Sequence, residues 1–379
     1  MMVLLEFTKK LESWLVNRMI NDVIKVIENE NIGKIEKDVF LSKYTTYKTG
    51  GMAKCIVSPK NTNSLIKLLK ILKNNSIKYK ILGNGSNLLF SDKVYDGVLI
   101  RLNEFNDVTF LSDTKLRVGA GYSLIKLSLL TARRGLTGLE FASGIPGSVG
   151  GAIFMNAGAY KSDMGYIVQE VRILTNDLRI ITLENREMNF HYRTSYLQKK
   201  PGFICLDAVI KLNKGDRHAI ESVIKDRRKR RVISQPLEYP SAGSVFRNPE
   251  GMYAGELIEK LGLKGLRKGG AQVSEKHANF IINRDNASSS DIKGFINNNE
   301  EELDKKALIL GGVPINAISG IVLGDDVILN DKLVQEVKFL FPKAYIVTKE
   351  GNIIKDRSNI IKIEDYEKLS FKCCKEEIK

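Results

Sequence analysis

Apolar positions in the first hundred residues recur with two distinct periods, one helical and one extended. Leu11, Trp14, Leu15, Met19, Ile20, Val23, Ile24, Val26 and Ile27 fall at helical spacing and predict one or two helices over residues 9–30. Lys54-Cys55-Ile56-Val57-Ser58-Pro59 reads as a short strand stopped by proline. Asn63 to Lys73 reads as a helix, with Leu65, Leu68, Leu69 and Leu72 on one side. Lys78 to Leu82 is a strand that runs into Gly83-Asn84-Gly85-Ser86-Asn87. Strand, helix, strand and glycine loop make an α/β beginning.

The middle of the chain is richer in strands. Val98 to Leu102, Lys115 to Val118, Val171 to Thr175 and Ile180 to Leu183 all carry β-type patterns, with an amphipathic helix at Tyr122 to Arg133. Gly144 to Gly158 is dense in glycine. A charged helix over Arg217 to Arg231 precedes a break at Gln235-Pro236-Leu237-Glu238-Tyr239-Pro240, which places a domain boundary near residues 215–235. A last mixed segment runs to about Asn299. Further on, Ile321 to Leu329 reads as a strand and Asp331 to Phe341 as a helix. Ala344 to Ile354 reads as a hairpin turning at Glu350-Gly351-Asn352.

Length and composition narrow the class. With 379 residues, 43% of them hydrophobic, the chain can build two or three cores. No apolar run is long enough to span a bilayer, and the opening shows no signal-peptide pattern. Cys55, Cys205, Cys373 and Cys374 are scattered apart from one vicinal pair that is poorly placed for bridging. Neither they nor His191, His218 and His277 show metal-ligand spacing. A reducing cytoplasm suits this cysteine usage. The formal net charge is +15, and all but one of those charges falls in residues 1–305. Such a balance suits nucleic acid or an anionic small substrate. Interleaved aromatics and a nucleic-acid module are missing, which favours the small substrate. The densest cationic run, Lys225 to Arg231, reads for the most part as a solvated helix face.

Two glycine-rich stretches carry the candidate chemistry. The loop Gly83-Asn84-Gly85-Ser86-Asn87 lets backbone approach a ligand, and its amides with Ser86 and Asn87 can bond phosphate oxygens. It is neither a Rossmann fingerprint nor a P-loop. The second stretch, Gly138-Leu139-Glu140-Phe141-Ala142-Ser143-Gly144-Ile145-Pro146-Gly147-Ser148-Val149-Gly150-Gly151, ends in positions too small to fill a core. It suits backbone lying against a flat or pyrophosphate-bearing ligand, the competing reading being a tight crossing of two chain segments.

Five stretches then occur in order: Tyr44-Thr45-Thr46-Tyr47-Lys48-Thr49-Gly50-Gly51, the 83–88 loop, the 138–158 block, Tyr192-Arg193-Thr194-Ser195, and Ala242-Gly243-Ser244-Val245-Phe246-Arg247-Asn248-Pro249. Together with Gly269 to Ser274 and His277 to Ile281, this ordered set resembles the UDP-N-acetylenolpyruvoylglucosamine reductase family, in its shorter subtype, over roughly residues 25–295. The resemblance implies an α+β protein. A two-lobed FAD-binding domain of the vanillyl-alcohol-oxidase type (31–215, lobes about 31–100 and 101–215) would follow an N-terminal helical segment (1–30). A smaller α/β substrate-binding domain (216–305) and a C-terminal extension (306–379) would complete the chain. It further implies that NADPH reduces bound FAD, which in turn reduces the enolpyruvyl ether of UDP-N-acetylglucosamine enolpyruvate to UDP-N-acetylmuramate for peptidoglycan. Matched residue by residue, the resemblance assigns catalysis to Ser244, as proton donor, and Arg193. It assigns FAD to Thr49, Gly83, Asn84, Gly85, Ser86, Asn87, Leu88, Gly144, Ser148, Gly150, Gly151 and Asn156. Substrate falls to Tyr192, Arg193, Ser244 and Asn248. Because the 83–88 loop has no histidine or cysteine to tether flavin, the FAD is expected to be noncovalent. No metal, nucleic-acid or membrane partner is expected, and the chain is read as a cytoplasmic monomer.

The match departs from the family at one place. Aligning the apolar run Ala307-Leu308-Ile309-Leu310 puts Lys306 where the family has a catalytic glutamate, with Glu300, Glu301 and Glu302 nearby. The alternative reading is therefore a homologue that binds FAD and nucleotide sugar but reduces poorly. Residues 313–379 match nothing in the family pattern. An extra domain, a partner-docking piece and an altered terminus all stay open for them.

Overall fold

The structure is a computed structural model that describes residues 18–296 and the backbone of four later strands. Leu11 to Leu15 of the first expected helix, Glu300 to Glu302, Lys306 and the helix expected over Asp331–Phe341 lie outside the described residues. By contacts the chain forms two units. The first is Met1–Gly243 with Ile282–Ser290, and the second is Ser244–Ile281 with Asp291 onward.

The first lobe of the first unit opens with α1 (18–29), β1 (Gly33–Phe40), β2 (Met52–Pro59), α2 (Thr62–Asn74), β3 (Tyr79–Leu82) and β4 (Tyr95–Arg101). Its sheet runs β1-β2-β4-β3, with β4 parallel to both β2 and β3 and β1 antiparallel at the edge. Parallel neighbours need a crossover, and α2 supplies it. The α2 helix starts where Asn61 Oδ1 accepts the Ser64 amide at 3.0 Å. Its four leucines at helical spacing, Leu65, Leu68, Leu69 and Leu72, are all buried, as the pattern predicts. In α1 the buried stripe is Ile20, Val23, Ile24 and Ile27, while Met19 and Val26 face outward.

The second lobe holds β5 (Val108–Phe110), β6 (Lys115–Gly119), α3 (Leu124–Arg133), α4 (Val149–Phe154), β7 (Val168–Leu174), β8 (Ile180–Glu184), β9 (Ile204–Lys211) and α5 (Arg217–Ser234). The sheet order is β8-β7-β9-β6-β5. Central β9 is buried from Ile204 to Ile210 and carries one acid, Asp207. Asp207 accepts from Arg172 Nε at 2.8 Å, and Arg117 Nη1 lies 3.9 Å away. These residues sit on three neighbouring strands, so one ion cluster pins two registers at once. A one-residue slip would turn Asp207 to the opposite face.

The observed division differs from the boundary expected near residues 215–235. Helix α5 packs Ile220 and Ile224 with Ala132 of α3, so it belongs to the first unit. The chain leaves that unit only after Gly243 and returns to it for Ile282–Ser290.

The second unit contains α6 (Ala254–Lys260) and strands β10 (Arg267–Lys268) and β11 (Ala271–Val273). Strand β12 (Ile281–Asn283) follows where the chain returns to the first unit. Helix α7 (Ser289–Lys293) follows. Beyond it, β13 (Gly320–Leu323), β14 (Tyr345–Thr348), β15 (Asn352–Asp356) and β16 (Asn359–Lys362) form a four-stranded sheet. The first pair is parallel and the others are antiparallel, so the expected hairpin is present as β14 and β15. No helix among the described residues is long and apolar enough to cross a membrane, and no group of side chains among them could hold a metal ion.

Both cysteines of the described core are inert by environment. Burial pushes the Cys55 thiol up to about 12, and it raises Cys205 further, with Asp207 adding to the effect. Thiolate is the reactive form. In the folded protein at pH 8, Cys55 and Cys205 are therefore expected to escape alkylation by iodoacetamide and to react only after denaturation. Peptide mass spectrometry reads this directly, and native labelling of either residue would contradict the packing described.

Candidate functional site

The two glycine stretches converge in the first unit. A Cβ on Gly83 would lie 2.9 Å from Ser148 Oγ, and one on Gly147 would meet Ser86 Oγ at 3.8 Å. Asn84 Nδ2 donates to the Pro146 carbonyl at 3.4 Å. Gly85 takes φ +63° and presses so closely on the Tyr44 carbonyl that a Cβ would stand 1.9 Å from it. Its own carbonyl accepts the Thr46 amide at 3.2 Å. The amides of Asn84, Gly85, Ser86 and Asn87 have no hydrogen-bond partner among the described residues. Four successive unpaired donors beside a glycine-lined surface are what a phosphate-bearing ligand requires.

The 147–150 segment is also a chain crossing. The Gly150 amide donates to the Ala120 carbonyl at 2.8 Å, Val149 to Tyr122 at 2.9 Å, and Leu124 to Gly147 at 3.0 Å. A Cβ on Gly150 would sit 2.8 Å from Ala120 Cβ, so packing alone accounts for that glycine. Ser148 caps α4, its Oγ accepting from the Gly151 amide at 3.3 Å. The crossing reading accounts for part of this stretch. Gly150 serves the crossing, whereas a Cβ on Gly147 would meet only ordinary van der Waals neighbours, Ser86 Oγ at 3.8 Å and Ile145 Cγ2 at 4.0 Å.

Thr49 is buried and shares a 2.9 Å hydrogen bond with Ser289 Oγ, while its carbonyl accepts from Thr45 Oγ1 at 2.9 Å. Leu88 lies half-exposed after the glycine loop. Asn156, in left-handed backbone at φ 41°, is a brace: Nδ2 donates to the His191 carbonyl and Oδ1 accepts the Gly165 amide, each at 2.9 Å. Next to that brace, Arg193 also takes positive φ, 55°, and Nη2 donates to the Gly158 carbonyl at 2.7 Å. Its guanidinium lies 5.5 Å from the centre of the exposed Tyr192 ring. A non-glycine residue held at positive φ is strained backbone of the kind that concentrates at functional sites.

Arg231 does not stand out from the cationic run 225–231 in the sequence. Its Nη1 stands 2.7 Å from where a Gly144 Cβ would be, so Gly144 is small to admit it. Burial lowers the pKa of this guanidinium and Tyr160 opposes the shift. Arginine stays protonated regardless, so a cation is fixed on the second glycine stretch. The signal was present in the 225–231 run, but nothing in the sequence separates this one arginine from its solvated neighbours.

In the second unit, Ser244 follows Gly243 at φ +80° and bridges to Phe280. Buried Asn279 fixes the segment: its carbonyl accepts the Val245 amide, Oδ1 accepts the Phe246 amide and Nδ2 donates to the Phe246 carbonyl, all at 2.9 Å. The Ser244 hydroxyl itself is exposed and has no partner among the described residues. Asn248 Oδ1 accepts the Ala254 amide at 3.1 Å, which starts α6. His277 stacks against Phe280 at 4.8 Å and accepts the Asn279 amide on Nδ1. Burial lowers its pKa from the ordinary histidine value.

The first unit thus has the loops and the two-lobed sheets of a flavin-binding oxidoreductase fold. Residues 53–184 match the FAD binding domain family, and residues 235–309 match the C-terminal domain of UDP-N-acetylenolpyruvoylglucosamine reductase. UDP-N-acetylenolpyruvoylglucosamine reductase 1 of Bacillus anthracis is 47% identical over 281 residues, covering 74% of this chain and 92% of that one. The Bacillus subtilis reductase is 40% identical over 298 residues, covering 79% and 98%. The crystal structure of the reductase from Thermus caldophilus superposes with a TM-score of 0.62 at 35% identity, covering 71% of this chain and 96% of that one. The chain belongs to the UDP-N-acetylenolpyruvoylglucosamine reductase family.

Two glycine substitutions separate scaffold from cradle. Gly85→Ala is expected to destabilise the protein by about 1–3 kcal/mol, because it combines positive φ with a backbone clash. Gly147→Ala is expected to leave the melting temperature of the flavin-free protein within about 2 °C while weakening FAD binding, since its methyl would clash with no protein atom but would stand between the two glycine loops. Differential scanning fluorimetry and flavin titration check the pair. Equal melting temperatures for both variants would contradict the assignment.

Proposed function

We propose that this chain catalyses the NADPH-dependent, FAD-mediated reduction of UDP-N-acetylglucosamine enolpyruvate to UDP-N-acetylmuramate. The observation that carries the reading is the row of unpaired amides at Asn84 to Asn87, set against Gly147 and Ser148, in a chain of this family. The residues present suit FAD: glycines leave room where a side chain would intrude, and backbone donors stand ready for the pyrophosphate. Asn84 to Leu88, Gly83, Gly144, Ser148 and Gly151 would hold it, with Thr49 supporting the loop beside them. When bound, FAD supplies hydride received from NADPH.

The chain's own groups supply binding and proton delivery. Tyr192, Arg193 and Asn248 are assigned to the substrate, Arg193 contributing a fixed cation for its anionic groups. Ser244 is assigned the proton that completes reduction. Ser244 is exposed, and Asn279 holds the backbone of Val245 and Phe246 just after it, so the donor is placed without being consumed by the fold. Asn156 and Gly150 enter this reading as supports for the site. Substrate and NADPH are the partners it requires, and a cytoplasmic monomer meets that requirement because both are soluble nucleotides.

Two measurements test the reading. Acid precipitation of purified protein should release yellow flavin into the supernatant, and colour retained in the pellet would rule out noncovalent FAD. Ser244→Ala should leave NADPH-driven flavin bleaching nearly intact and slow recolouring by the enolpyruvyl substrate about a hundredfold or more. Stopped-flow absorbance follows the two halves separately, and equal slowing of both would make Ser244 a folding or binding residue.

A further inference from the structure

Asp92 lies in the loop between β3 and β4, outside every motif of the family pattern. Its carboxylate accepts three hydrogen bonds from residues almost 200 positions later. Oδ1 takes the Ser289 amide at 2.7 Å, and Oδ2 takes the Ser290 amide and the Ser290 hydroxyl, each at 2.8 Å. Burial alone would raise the pKa of this carboxyl, but the bonds from Ser289 and Ser290 prevail and hold it below the usual carboxylate value. Ser289, fixed at its amide, meets Thr49 through its hydroxyl. Upstream, Asn283 Nδ2 donates to the Tyr47 carbonyl at 2.9 Å, giving the return segment a second hold on the same loop.

The loop so held is the one that presses on the glycine loop. Thr45 closes onto the Thr49 carbonyl, and the Thr46 amide bonds the Gly85 carbonyl. Gly51 is equally confined, because a Cβ there would lie 2.4 Å from the Asp92 carbonyl oxygen. Hydrogen bonds therefore run from Asp92 through Ser289 and Thr49 to the peptide units whose amides are unpaired.

We propose that Asp92 is a positioning residue for flavin binding: it clamps the returning segment at Ser289 and Ser290, and Ser289 in turn fixes Thr49 and the loop that shapes the 84–87 amides. This rests on the reading of those amides as the FAD cradle. Asp92 itself touches neither flavin nor substrate in this role.

The test uses the full-length chain and FAD titration by fluorescence quenching. Asp92→Asn puts an amide against donors, and Ser289→Ala removes one hydroxyl while leaving its amide in the clamp. Both are expected to weaken FAD binding about tenfold, with Ser290→Ala smaller, since it breaks one of three bonds to a charged acceptor. A merely structural role would lower the melting temperature of the flavin-free protein and leave the FAD dissociation constant unchanged, and that result overturns the proposal. A double-mutant cycle gives the sharper reading. In a Thr49→Val background, Ser289→Ala should add no further loss, because the shared hydrogen bond is already gone. A full additive loss overturns the route through Thr49. Should Asp92→Asn fail to fold, the Ser289 and Thr49 cycle still decides. A wild-type chain that binds no FAD would instead strike the flavin reading itself.

Discussion

Everything in the first unit depends on the crossing where residues 147–150 lie across residues 120–124. Three backbone hydrogen bonds close it, and the Ala120 amide in turn bonds the Leu206 carbonyl in the central strand. The glycine-rich stretch is therefore tied directly to the best-buried strand of the five-stranded sheet. Only Gly150 permits the approach, because any Cβ there would overlap Ala120. A glycine-rich stretch thereby becomes a rigid edge, and Gly147 beside the other glycine loop gains a fixed position.

The central sheet earns that rigidity through an unusual choice. Asp207 is almost fully buried in an otherwise apolar strand, yet arginines on both neighbouring strands reach it. A buried acid is unfavourable unless paired, so the arrangement is tolerable in one register only. Hydrophobic burial supplies the stability of the sheet, and the ions select its alignment.

Much of this was legible in the amino-acid order, for identifiable reasons. Helix α2 was readable because four leucines repeat at helical spacing, and the glycine loops were readable because glycine is scarce where side chains must pack. Central β9 was passed over: a strand buried on both faces has no alternation to read. Edge strand β1 is half-exposed, with Lys34, Glu36 and Lys37 diluting its pattern. The charge of α5 masks Ile220 and Ile224 in the sequence, which fasten it to α3. Ser244 and Arg193 stood out only as parts of an ordered set of motifs. Asp92 carries no signal in the sequence and Arg231 is not separable from its run, since what distinguishes each is a neighbour distant in sequence.

The return of residues 282–290 to the first unit also has a meaning in time. Thr49 and its partner Ser289 are 240 residues apart. A ribosome adding about 5–20 residues per second needs roughly 12–48 s to travel from one to the other. Over that interval the nascent loop at Thr45 to Gly51 lacks its chain partner, and the apolar α2 and β4 must settle without it. Co-translational folding of this chain therefore proceeds with an unfinished mouth: the lobes form first, and their opening takes its final shape only as the last third emerges.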